Sequence, residues 1–310
     1  MGLRKGVRIT APAPRTAHGA GREAEVEAEA EVAGRLRRER TRAFTRAAGS
    51  SLFNSLITIV IVIALWQSVV SFTGISPYVA KGPVDVFEFL FIDNPDRPEQ
   101  TAELHRSEMA PLVVQTLQDS AIGFVAGMLV AVVLAMLFTL SKTVEAGVMP
   151  LALLLRSIPL VSIAPVIILI TGRGTPASVA VIGSIVVLFP ALASILFGLS
   201  RASKESLDLV RVYGGNSLTA LLKVSIPGAL PSLFAAARVS VPGAVTGALL
   251  AEWLSTGIGI GGMIQKFNAT ARFDDLWASV ALITLATLVL YNLVQLIENI
   301  VLARMGMLSS

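Results

Sequence analysis

The chain has no cysteine among its 310 residues. That excludes a disulfide framework, a thiolate nucleophile and a cysteine-based metal site. Histidine is nearly absent too. His18 and His105 lie far apart in polar segments, which leaves no basis for a histidine-centred catalytic triad or metal site. No glycine directly precedes a lysine, so the GxxxxGK[ST] phosphate loop is missing and no nucleotide site of that kind is expected. Charged residues make up only 15%, against about 25% in an ordinary soluble domain. Aromatics, at 6%, are too few for a rich interfacial belt. No apolar stretch begins near Met1, so no cleaved secretory leader is expected.

What the chain does have is apolar sequence in long runs. Hydrophobic residues are 54% of it, and the mean hydropathy is +0.73. A helix needs roughly 20 apolar residues to cross a bilayer. Runs of that length fall near residues 51–72, 112–140, 147–170, 177–199, 232–254 and 277–302. The chain therefore reads as an all-α polytopic membrane protein with about six transmembrane helices. Residues 1–48, poor in bulky apolar side chains and rich in Glu and Arg, read as a disordered cytoplasmic tail. Residues 49–310 form the transmembrane domain. Six spans put both termini on one side. The arginines before the first span, the bases of the loop between spans 4 and 5, and Arg304 then all face the cytoplasm, while the acidic interval 74–111 faces out. That satisfies the positive-inside rule. The net charge of +4 and the pI of about 9.7 thus need no nucleic acid. Within the external interval, a Gly-Pro turn followed by Val-Asp-Val-Phe-Glu-Phe-Leu predicts a short interfacial helix.

Several spans carry features that plain membrane anchors lack. Arg156, Pro159 and Pro165 interrupt span 3. Intramembrane proline is tolerated where a helix lines a cavity or packs on protein, and Arg156 is expected to face the bundle. Gly123, Gly127 and Ala131 form a small-residue face on span 2, suited to close helix packing. Arg238 and Glu252 sit in span 5. About 20 Å of helix separates them, so they cannot pair with each other. Either they bias a substrate path or gate, or each pairs with a neighbouring helix or reaches its own interface. The run Gly257–Gly262 superficially looks like a dinucleotide fingerprint, but it follows no soluble strand and opens no βαβ unit. No carboxylate pair stands out.

Residues 200–231 form the only long polar interval between two apolar blocks in the C-terminal half. Arg201, Lys204, Arg211 and Lys223 outnumber Glu205 and Asp208. Gly214, Gly215 and Asn216 break the interval, and Pro227 and Pro231 close it. The pattern predicts two short amphipathic helices joined by a glycine turn outside the membrane, with the prolines setting the re-entry into span 5.

This loop resembles the EAA loop of bacterial ABC importer permeases. Asp208 stands where a glutamate is usual, Val210 where an alanine is, and Gly214 where the glycine is, followed by Pro227 and Pro231. Residues 79–86, Arg156 to Pro165 with the Gly172 turn, Arg238, and Ala251-Glu252-Trp253 followed by Gly257-Ile-Gly are similar to the permeases for nitrate, sulfonates and taurine. The resemblance covers about residues 52–304. It implies a type I importer permease of the MetI-like kind in the bacterial cytoplasmic membrane. Loop 200–231 would then couple to a separate ATPase. Asp208, Gly214, Gly215, Asn216, Ser217, Leu218, Leu221, Leu222 and Pro227 are the coupling residues, and Arg156, Pro159, Pro165, Arg238 and Glu252 are candidates for the path or gate. The resemblance also implies a permease homodimer, two ABC ATPase subunits and an external solute-binding protein. The chain would bind no cofactor and catalyse no reaction, since ATP and Mg²⁺ belong to the ATPase. The solute would be small, for instance an anion such as nitrate, a sulfonate or taurine. Two other readings compete. A lone secondary transporter or channel is disfavoured by the scarcity of intramembrane acids and the lack of an evident inverted repeat. A membrane enzyme or assembly factor is disfavoured by the missing catalytic constellation.

Overall fold

The computed structural model describes residues 57, 59–72, 74–96 and 98–305. The tail expected over residues 1–48 lies outside the described residues. Among those residues the chain is helical, without strands. Helix α1 (Ile59–Phe72) spans the boundary, between Val69 and Val70, at which the chain divides into two units. The rest of this account concerns the second unit. Its helices are α2 (Pro83–Phe91), α3 (Ala102–Leu140), α4 (Lys142–Ser157), α5 (Leu160–Thr171), α6 (Pro176–Ser200), α7 (Lys204–Val212), α8 (Ser217–Thr256), α9 (Gly259–Ala269) and α10 (Phe273–Arg304).

Four of these, α3, α6, α8 and α10, are each long and apolar enough to cross a membrane. The pair α4 and α5 meets the same test jointly but is bent by 108°. Four helices start where a hydroxyl can satisfy the orphan N–H groups of the first turn. Thr101, Ser141, Thr175 and Ser203 accept from the N–H of Leu104, Val144, Ser178 and Ser206. Pro176 occupies the first turn of α6, where no hydrogen bond is lost.

The core is the crossing of α3, α6 and α8. Bilayer lipid is as apolar as leucine, so helices there associate by close packing rather than by expelling water. Here the packing reaches backbone-to-backbone contact. A Cβ on Gly183 of α6 would lie 2.7 Å from the Cα of Gly123 of α3, and one on Gly247 of α8 would lie 2.9 Å from the Cα of Gly183. Gly127, one turn after Gly123, meets the Val187 side chain. Ala131, Ala135, Phe138, Ala191, Ile195, Ala236 and Ala244 continue the seam toward the loop end. The small-residue face of span 2 thus packs within the chain. On α10, by contrast, Leu285, Val289, Leu293, Leu296 and Ile300 form an exposed apolar stripe of the kind lipid covers.

Two expectations need correction. Helix α3 starts at Ala102 rather than near residue 112, and Pro111 lies inside it. The polar stretch is helical because α2 packs across its first turns. Arg106 donates to the Leu90 carbonyl at 2.6 Å, the Ala102 N–H donates to Asp93 at 2.8 Å, and His105 stacks on Phe89 at 3.9 Å. Next, the second loop helix is not separate from span 5. It runs on as α8, and neither Pro227 nor Pro231 interrupts it. A π-turn at Leu221–Ser225 widens the helix just before Pro227, which cannot donate to the preceding turn. Residues 255–276, ahead of the last span, contain α9.

The glycine crossing makes a testable demand. Gly183→Ala is expected to lower stability by about 1–3 kcal/mol, because backbone atoms rather than flexible side chains must yield. Gly147→Ala on α4, with open space around it, is expected to be neutral or slightly stabilising. Thermal denaturation of the two variants in lipid nanodiscs checks both.

Candidate functional site

Helix α7 ends in a Schellman motif. The Gly214 N–H donates to the Arg211 carbonyl at 2.9 Å and the Gly215 N–H to the Val210 carbonyl at 2.8 Å, with Gly214 at φ +79°. A left-handed residue at that position is the usual role of glycine. Gly215 is needed for space, since a Cβ there would lie 2.5 Å from the Val210 side chain. Asn216 then caps α8, its Oδ1 accepting from the Thr219 N–H at 2.9 Å and the Thr219 hydroxyl at 3.0 Å. The loop is therefore a tightly specified helix-turn-helix corner. Asp208 pairs with Arg211 at 3.1 Å on its exposed side. Leu209, Val212, Tyr213, Leu218 and Leu222 all point outward, with Tyr213 84% exposed. Leu221 does the opposite. Only 2% exposed, it belongs to the core cluster with Leu199 and Ala229, so its side chain is turned away from any partner at the loop. Pro227 lies inside α8, past the π-turn.

The bend between α4 and α5 forms a second feature. Arg156 and Pro159 stand at the bend and line an open cavity of about 640 Å³, with Leu155, Leu160, Phe189 and Ser194 on other walls. Arg156 is exposed and faces this cavity. Pro165 does not line it and sits within α5. Pro190 of α6 lines it as well.

Arg238 and Glu252, separated along α8, each find a partner elsewhere. Arg238 Nη1 lies 3.1 Å from Glu298 Oε2 of α10, and its guanidinium sits 5.9 Å from the Tyr291 ring centroid. An intramembrane charge so paired holds helices together. Glu252 is fully buried in a second π-turn, Glu252–Thr256. Its Oε2 accepts from the Gly261 N–H at 2.7 Å and from the Thr116 hydroxyl at 2.9 Å, and that hydroxyl accepts from the Ile260 N–H at 2.9 Å. A carboxylate and a threonine from two other helices thus cap α9, which has no side-chain cap of its own. The glycines of residues 257–262 make this possible. Gly257 and Gly259 have φ of +71° and +72°, and a Cβ on Gly259 would collide with the Glu252 carboxyl. The run is a carboxylate cradle. Asp119 of α3, which the sequence did not single out, completes the cluster, with Gln115 donating to its Oδ1 at 3.2 Å. The partners are 136 positions apart for Thr116 and Glu252, so no local pattern announces them. Among the described residues no group of three or more His, Asp or Glu could hold a metal.

A bundle with an apolar exterior and several helices long enough to cross a bilayer has the build of an integral membrane protein. The chain belongs to the family of binding-protein-dependent transport system inner membrane components, whose model matches residues 123–307. It is similar to a probable ABC transporter permease protein of Haemophilus influenzae, at 27% identity over 77% of this chain and 93% of that one. It resembles the riboflavin transport system permease protein RibX of Chloroflexus aurantiacus at 30% identity, over 51% of this chain and 59% of the relative. The taurine transport system permease protein TauC of Escherichia coli is 22% identical over 76% and 84%. The chain is a permease component of an ABC importer for small solutes, in a family that works with ATPase and binding-protein components.

The Arg238–Glu298 pair gives a direct test. Glu298→Leu leaves a half-buried guanidinium uncompensated and is expected to cost about 3 kcal/mol, whereas Arg238→Met combined with Glu298→Leu recovers most of the loss. Thermal melts of the single and double variants in nanodiscs read the difference.

Proposed function

We propose that residues 200–231 are the coupling element through which a separate ATPase moves this permease. The observation that carries the reading is the exposed apolar set Leu209, Val212, Tyr213, Leu218 and Leu222 on a corner that continues directly into the 40-residue helix α8. Such exposed apolar side chains beside arginines suit a protein groove. A helix of that length spans about 60 Å, so a push on the corner reaches the far end of the bundle. Two such chains would pair around a central path, with two ATPases carrying ATP and Mg²⁺ on the cytoplasmic side and a solute-binding protein outside. Both termini then lie in the cytoplasm.

The path would run past the α4–α5 bend. The 640 Å³ cavity is large enough for a small organic solute, and Arg156 places a cation on its wall. That supports a small anion, such as nitrate, a sulfonate or taurine, as the cargo. Arg238 contributes only through its pairing with Glu298, and Glu252 through its cap on α9.

Separate variants address the two parts. Gly214→Pro, which cannot adopt φ +79°, and Leu218→Asp, which puts a charge among the apolar side chains, are expected to abolish uptake and co-purification of the ATPase while membrane insertion stays normal. Normal co-purification with both variants would sink the coupling assignment. Arg156→Gln is expected to cut uptake of an anionic solute at least about tenfold, the loss of roughly one charge-assisted hydrogen bond, with the ATPase still bound.

A further inference from the structure

Helix α2 has three sides rather than two. At about 100° per residue, Val86 and Leu90 share one side, Val84, Phe87 and Phe91 a second, and Asp85 and Glu88 a third. Val86 and Leu90 are buried against the bundle, and Asp85 and Glu88 are exposed. Among the described residues no protein covers the second side, where Val84, Phe87 and Phe91 are each more than half exposed. The rings of Phe87 and Phe91 lie 5.1 Å apart on it. A surface helix of a soluble protein needs one side for the core and one for water. A third, apolar side calls for a third environment.

Both ends of α2 are tied to the starts of membrane-length helices, and at one height. Ahead of α2, Lys81 pairs with Asp274 at 3.0 Å, the Trp277 indole N–H donates to the Val79 carbonyl at 2.9 Å, and the Tyr78 hydroxyl donates to the Ala271 carbonyl at 3.1 Å. At the other end Arg106 of α3 holds the Leu90 carbonyl, and the Ala102 N–H donates to Asp93. Met109 of α3 and Ser279 of α10 meet at 3.6 Å. Both the α10 ties and the α3 ties lie about one to two turns before that contact. Helix α2 therefore passes from α10 to α3 without descending into the bundle. The apolar run of α10 begins at Leu276, directly after Asp274 and Asp275, which marks the level where hydrocarbon gives way to headgroups. Tyr78 and Trp277, at that level, are residues that favour such a boundary.

We propose that α2 is an interfacial anchor whose partner is the bilayer surface. It lies in the headgroup layer at the end of the bundle opposite residues 200–216, with Val84, Phe87 and Phe91 inserted into lipid and Asp85 and Glu88 turned to water. Bundle, acyl chains and water are the three environments that its three sides require. The inserted side continues the lipid-covered exterior of α10, to whose first turn α2 is pinned. The Arg106 guanidinium lies 5.6 Å from the Phe91 ring centroid, at the edge of the inserted side, where a cation on an apolar stem suits the headgroups. Anchored so, α2 holds the polar first turns of α3 above the hydrocarbon. This holds whatever the corner at the other end of the bundle binds.

The test uses the full chain in nanodiscs of phosphatidylcholine and phosphatidylglycerol. Because the chain has no cysteine, the variants V84C, F87C, E88C and F91C each carry a single nitroxide without background. In power-saturation spectra the labels at 84, 87 and 91 are expected to meet oxygen more than a nickel chelate, at a depth of about 5–10 Å into the headgroup and acyl boundary. The label at 88 is expected to do the reverse. F87W and F91W, which keep an aromatic ring, are expected to add fluorescence that brominated acyl chains quench, and E88W to add fluorescence that they spare. The proposal is overturned if the labels at 84, 87 and 91 meet the nickel chelate as freely as the label at 88, or if the fluorescence added by F87W and F91W escapes quenching. Either result leaves this side of α2 to a soluble partner. Dipolar broadening between labels at 87 in discs holding two chains overturns it as well, by giving the side to a second copy.

Discussion

The approach of α3, α6 and α8 to backbone contact at Gly123, Gly183 and Gly247 is the constraint on which the rest depends. With no side chain at Gly123, Gly183 or Gly247, α3 and α8 each come close enough to α6 for dispersion contacts to replace a hydrophobic drive that lipid does not provide. Every other position follows from that crossing. It sets where α8 passes α10, so that Arg238 meets Glu298, and where the end of α8 passes α3, so that Glu252 meets Thr116 and Asp119. It also leaves α6 free to present Phe189 and Pro190 to the α4–α5 bend.

Polar groups inside the bundle obey the same logic with a different currency. A charge at membrane depth persists only with a partner, and a backbone that leaves regular helix must find its hydrogen bonds inside the protein. The Arg238–Glu298 pair meets the first demand between two helices. The Gly257–Gly262 turn meets the second by directing the N–H groups of Ile260 and Gly261 at Thr116 and Glu252. Arg156 differs from both, because it lines an open cavity at the α4–α5 bend rather than meeting a partner inside the bundle.

Helix α8 joins the two ends of the molecule. It begins at the Asn216 cap and ends in the cradle, with a π-turn near each end, Leu221–Ser225 and Glu252–Thr256. Local widening of this kind lets a long helix absorb Pro227 at one end and place a carboxylate inside the bundle at the other. Between the π-turns the helix continues through Pro231 and Pro242, so one continuous helix joins the corner to the cradle.

Much of the architecture was legible in the residues themselves. Apolar runs announce membrane helices because their length must match the bilayer. The Gly214-Gly215-Asn216 break announces a turn because a Schellman end needs φ > 0 and a following cap needs a short polar side chain. The spacing of Gly123, Gly127 and Ala131 announces a packing face, though not the glycines that answer it. Other features were hidden because they depend on distance rather than order. Proline looked like a boundary at residues 227 and 231, yet a π-turn absorbed it. Leu221 looked like its neighbours Leu218 and Leu222, yet a single step around the helix buried it. The sequence by itself determined the membrane class, the exposed corner and the inventory of charges, all of which follow from local composition and period. Only the tertiary structure decided that Arg238 belongs to Glu298 and that a glycine run is a carboxylate cradle. It alone placed Asp119 beside Glu252, because residues more than a hundred positions apart become neighbours only when helices cross.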